Sequence, residues 1–137
     1  MRYLALIVSA LLLSACASPL PPRDPGMAWV DLYTSASDLL MAEKLDGKRL
    51  NDGRYFQITP GAHELIARFH FEVQGGGNLM AEPIQRTCEI RVRYDDFAAG
   101  QHYRIEARTL AMSAQAWLYD EQRNVLARAK VLRCGMF

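Results

Sequence analysis

Arg86, Arg91, Arg93, Arg104 and Arg108 fall within or beside two stretches of alternating residues. Planar guanidinium forks match carboxylate and phosphate oxygens, so these five side chains would form a basic stripe able to hold an acidic glycan or a phosphate-bearing polymer. Glu89 and Glu106 interrupt the stripe. Cross-strand ion pairing on a solvated face is therefore the competing reading. Trp29, Tyr33, Trp117 and Tyr119 offer a similar choice. Each pair has the opposite parity to its aliphatic neighbours, Val30 and Leu32 or Ala116 and Leu118, so the aromatics either dock a partner or pack between two sheets.

Other chemistry is sparse. The three histidines are His63, His70 and His102. His63 and His70 lie an odd number of residues apart, which puts them on opposite faces of one strand and prevents them from sharing a metal. Gly75-Gly76-Gly77 has no lysine and serine after it and opens no helix, so it reads as a connection between strands that runs on through residues 78–85, not as a phosphate cradle. No sequence of the type His-Glu-x-x-His or Gly-x-Ser-x-Gly occurs. The expectation is a non-catalytic protein with no metal and no cofactor.

The elements that position these residues are strands. In 63–73 the odd positions His63, Leu65, Ala67, Phe69, Phe71 and Val73 form an apolar row, and the even positions Glu64, Ile66, Arg68, His70 and Glu72 a mostly charged one. The same two-residue repeat recurs in 88–94 and 103–108, each bounded by turn formers such as Asp95-Asp96 and Ala99-Gly100. Residues 29–33, 55–58, 114–119 and 125–132 are further candidates, the last two joined as a hairpin through 120–124. Residues 37–45 contain good helix formers behind a Ser37 cap, but the Asp46-Gly47 hairpin dipeptide beyond them favours a strand.

Arg2 precedes an apolar run from 3 to 13 that leads into Leu13-Ser14-Ala15-Cys16. A charged residue, a run too short for a comfortable membrane span and small residues before a cysteine describe a signal peptide over 1–15. The order Leu-Ser-Ala-Cys resembles the processing site of bacterial lipoproteins. That resemblance implies lipidation of Cys16, with several acyl chains giving a stable anchor, and Ala17 after the cysteine implies release to the outer membrane. Pro19, Pro21, Pro22 and Pro25 make residues 16–26 a tether that cannot hold a helix; at about 3.1 Å per residue it reaches on the order of 30 Å. With Cys16 assigned to lipid, Cys88 and Cys134 remain as a pair in an oxidising compartment, and a structural disulfide follows.

Composition narrows the partners. Without residues 1–15 the chain loses Arg2 and becomes formally neutral, so no global field steers it toward nucleic acid. What remains, 27–137, suffices for a single β-domain with its own core. Asp46-Gly47 followed by Pro60-Gly61-Ala62-His63 resembles the turn pattern of PEGA-type β-domains over about residues 45–73, although the name-giving tetrapeptide is absent. The resemblance implies a small non-catalytic module of cell-envelope proteins.

The sequence thus predicts an all-β fold, a small antiparallel β-sandwich or partly open barrel. It also predicts an outer-membrane, periplasm-facing lipoprotein that binds or supports an envelope protein or peptidoglycan. The candidate binding residues are Arg91, Arg93, Arg104, Arg108, Trp29 and Trp117. The alternative is an inhibitor of an envelope-degrading enzyme, acting through the long loop at 74–87.

Overall fold

The alternating stretches become ten strands. The structure is a computed structural model that describes residues 18–75 and 80–135. Cys16, the signal peptide, and residues 76–79 of the predicted connection lie outside the described residues. In chain order the strands are β1 (Ala28–Tyr33), β2 (Leu39–Leu45), β3 (Lys48–Arg49), β4 (Tyr55–Ile58), β5 (Gly61–Val73), β6 (Ile84–Phe97), β7 (His102–Leu110), β8 (Ser113–Asp120), β9 (Val125–Arg128) and β10 (Lys130–Gly135). They form two five-stranded sheets, β4-β1-β7-β8-β9 and β10-β6-β5-β2-β3, packed face to face as a sandwich.

The expected alternation decides which side chains meet between the sheets. Leu65, Ala67, Phe69, Phe71 and Val73 of β5 and Cys88, Ile90 and Val92 of β6 pack against Ala28, Val30, Phe56, Ile58, Ile105 and Leu118 of the first sheet. Burying the valine, leucine, isoleucine and phenylalanine side chains among them stabilises by roughly 1.5–3 kcal/mol each. Where the chain passes from β6 to β7, Phe97 stands edge-on to Tyr94 and to Tyr103, with ring centroids 5.0 Å apart in both pairs. The Tyr103 hydroxyl accepts the Ala98 N–H at 2.9 Å, which fixes this corner.

Four expectations are corrected in detail. The sandwich is not wholly antiparallel: β1 runs parallel to β7, from Trp29 opposite His102 to Tyr33 opposite Glu106. A parallel pair needs a long crossover, and residues 34–101 supply it by building most of the second sheet in between. The single strand expected over 125–132 breaks at Ala129, whose N–H donates to Ala116 O at 2.9 Å. β9 stays beside β8 and β10 joins β6, so this short segment steps from one sheet to the other.

The connection after β5 is shorter than expected, because Ile84 and Gln85 pair with Val73 and Glu72 as the start of β6. Residues 18–24 of the tether do not stand clear of the domain. Arg54 donates to Ser18 O at 2.7 Å, and the Asp24 N–H donates to Gln57 Oε1 at 3.4 Å.

Residues 39–45 are strand because pairing with β5 outweighs their helix propensity. Asp46 and Gly47 then turn the chain with φ of 49° and 82°, the left-handed geometry that a two-residue hairpin demands and glycine tolerates. Cys88 and Cys134 are direct cross-strand partners in β6 and β10 and are joined by the expected disulfide.

Candidate functional site

On β7, Tyr103, Ile105 and Ala107 are buried toward the core, so His102, Arg104, Glu106 and Arg108 project from the opposite, outer face of the first sheet. Register brings neighbours of the same parity beside them. One row reads Gln57, Trp29, His102; the next Tyr55, Asp31, Arg104, Tyr119; the third Tyr33, Glu106, Trp117, Arg128. An aromatic and charged surface thus assembles from five strands.

Glu106 organises one end of it. Its side chain is only 4% exposed although it lies on an outer face, because three arginines cover it. Arg123 donates to its two carboxylate oxygens at 2.7 and 3.3 Å, and Arg104 and Arg108 stand at 3.7 and 3.8 Å. The Arg123 hydrogen bond, helped by the charges of all three guanidiniums, holds the Glu106 carboxyl below the ordinary glutamate range against the opposing effect of desolvation. The same contact pushes the Arg123 guanidinium up. Arg104 stacks over Tyr33 and Arg123 over Tyr119, with 5.4 and 5.1 Å to the ring centroids. One carboxylate cannot neutralise three cations, so this end carries net positive charge.

Trp29 organises the other end. Its ring stacks on Tyr55 at 4.3 Å and 8°, and its indole N–H donates to Asp31 Oδ1 at 2.7 Å. Arg23 lies over the indole face at 5.1 Å, 3.9 Å from Asp31 and within 2.8 Å of both ring nitrogens of His102. The His102 ring is also 3.3 Å from Glu121. Between the two ends lies a cleft of about 370 Å³ lined by Asp31, His102, Arg104, Tyr119, Glu121 and Arg123.

The predicted residues divide accordingly. Trp29, Trp117, Arg104 and Arg108 share this face. Arg91 and Arg93 do not: they lie on β6, on the outer face of the second sheet, because the turn after β6 carries the chain across the sandwich. The single basic stripe is therefore corrected to two separate groups. Arg93 pairs with its direct cross-strand partner Glu64 at 2.7 Å, and Arg91 stands 4.0 Å from the same carboxylate. Arg86 belongs to neither group, since it shares the parity of Cys88, Ile90 and Val92 and its Nε is buried.

The aromatics are corrected too. Trp29 is buried, but under Arg23 and Tyr55 on the outer face and not between the sheets.

Sequence reasoning missed Glu106 as an organiser, treating it as an interruption. Its parity with Arg104 and Arg108 was the available signal. Arg123, in a turn, and Arg23, in the tether, gave none. His63 is held by Asp46 and Thr59, and His70 is hydrogen-bonded to Thr87. Among the described residues no group of three or more histidine, cysteine, aspartate or glutamate side chains is placed to share a metal, and no helix is long and apolar enough to cross a membrane. No family model, curated protein or solved structure matches this chain.

Proposed function

We propose that this chain is an outer-membrane-anchored, periplasm-facing lipoprotein that serves as a non-catalytic binding module of the cell envelope. The face that binds is the outer face of the first sheet. The address and anchor rest on Leu13-Ser14-Ala15-Cys16 behind its apolar run. The binding reading rests on one observation, the convergence of Arg104, Arg108 and Arg123 on Glu106 beside the exposed ring of Tyr33. A buried carboxylate that positions three guanidiniums preorganises donors that a solvated ion pair would leave mobile.

A photo-crosslinking side chain placed at Gln115, on this face of β8, tests the reading in intact envelopes. It is expected to trap an envelope protein or peptidoglycan, whereas the same group at Glu72 on the second sheet traps nothing specific. Absence of any product from Gln115 would overturn it.

One observation favours the inhibitor as a second reading. Met80 is 88% exposed beside β6, and Ile84, Leu110 and Met112 are exposed at the same end of the sandwich. Crosslinks from that end alone, to an envelope-degrading enzyme, would support it.

A further inference from the structure

Asp31 and Arg104 are direct partners in the parallel ladder of β1 and β7, yet no ion pair joins them. Opposite charges so placed on one sheet face ordinarily pair. Here each is drawn aside. Asp31 accepts the Trp29 indole N–H and faces Arg23, while Arg104 stacks on Tyr33 and leans toward Glu106. Both side chains line the cleft of about 370 Å³. Its size falls within the usual range of small-molecule sites, about 300–1,000 Å³.

The charges lining the cleft are divided. Asp31 and Glu121 supply carboxylates, and Arg104 and Arg123 supply guanidiniums. Asp120, also at the cleft, is already satisfied by the Asn124 backbone and side-chain N–H groups at 2.9 and 3.0 Å. A polyanion would meet the carboxylates and a simple cation the guanidiniums, so a ligand of one sign is disfavoured at either end. The chain itself shows what the acidic end accepts: Arg23 lays a cation over Trp29 and beside Asp31.

Resting on the reading of this face as a binding surface, we infer that the cleft takes a small zwitterion, an amino acid or short peptide with a free ammonium and a free carboxylate. The carboxylate sits on Arg104 and Arg123, and the ammonium on Asp31 and Glu121 in competition with Arg23.

Titration calorimetry of the full-length chain in detergent with alanyl-alanine, N-acetyl-alanyl-alanine and alanyl-alaninamide tests the assignment on the unaltered protein. The free dipeptide should bind, and each capped form should bind at least about tenfold more weakly, because each cap leaves one set of cleft charges without its partner. Glu121→Gln, at an exposed position, should weaken the dipeptide without altering the fold, and Arg23→Ala should tighten it. Equal binding of free and capped forms, or none of any, would overturn the inference. Failure here with a specific crosslink from Gln115 would leave the binding face standing, whereas dipeptide binding without that crosslink would support the ligand and remove the envelope partner.

Discussion

Arg123 reaches back from the turn after β8 to hold Glu106, on the neighbouring strand β7, through two hydrogen bonds of 2.7 and 3.3 Å. A residue of a surface turn thereby supplies the hydrogen bonds to a carboxylate that Arg104 and Arg108 approach only to 3.7 and 3.8 Å.

Replacing Arg123 by alanine should lower the midpoint of urea unfolding, because the carboxylate of Glu106 loses both of its hydrogen-bond donations from that guanidinium. The loss is moderated because Arg104 and Arg108 remain beside Glu106 and solvent screens the exposed Arg123. An unchanged midpoint would mean the contact is energetically idle.

The same pair sets a pH dependence. The folded Glu106 carboxyl is held below its ordinary value of 4.5, so its contribution is fully present above that value and is lost as pH falls through the lowered one. The stability advantage of the unaltered protein over Glu106→Gln should therefore be constant near neutrality and shrink below about pH 4.5. Because Asp46, Asp52 and Asp120 are also lowered, the difference between the two proteins, not either curve alone, is the measurement.

Cys134→Ser should destabilise by roughly 4 kcal/mol on the chain-entropy account of a loop of this length. The disulfide closes 46 positions and ties the edge strand β10 to β6. Equal stability of the oxidised protein and the variant in chemical denaturation would contradict this, as would free thiols at both positions by non-reducing mass spectrometry.

Charge reversal separates the two arginine groups. Arg104→Glu with Arg108→Glu should abolish envelope crosslinking from Gln115, while Arg91→Glu with Arg93→Glu on the other side of the sandwich should leave it intact. The opposite result would move the binding face to the second sheet.

Cys16→Ser should free the protein from membranes while the far-ultraviolet circular dichroism of the sandwich is unchanged, since the first strand begins at Ala28. Continued fractionation with the outer membrane would show that lipid does not hold it there.

Strand identity and facing were legible because both are local. A two-residue repeat assigns each side chain to a face without reference to any partner strand, so Leu65 to Val73 could be read as a core row and Arg104, Glu106 and Arg108 as companions on one face. Cysteine pairing was legible from the count once Cys16 was set apart. Which faces adjoin was not. Arg93 and Arg104 are close in sequence yet stand on opposite sides of the sandwich, while Trp29 and Trp117 are distant and share a face, because both relationships depend on how strands order themselves into sheets. The parallel docking of β1 on β7 brings Asp31 beside Arg104, and a turn residue and a tether residue complete the two ends of the cleft. Such contacts depend on long-range pairing and on loop paths, which no local periodicity encodes.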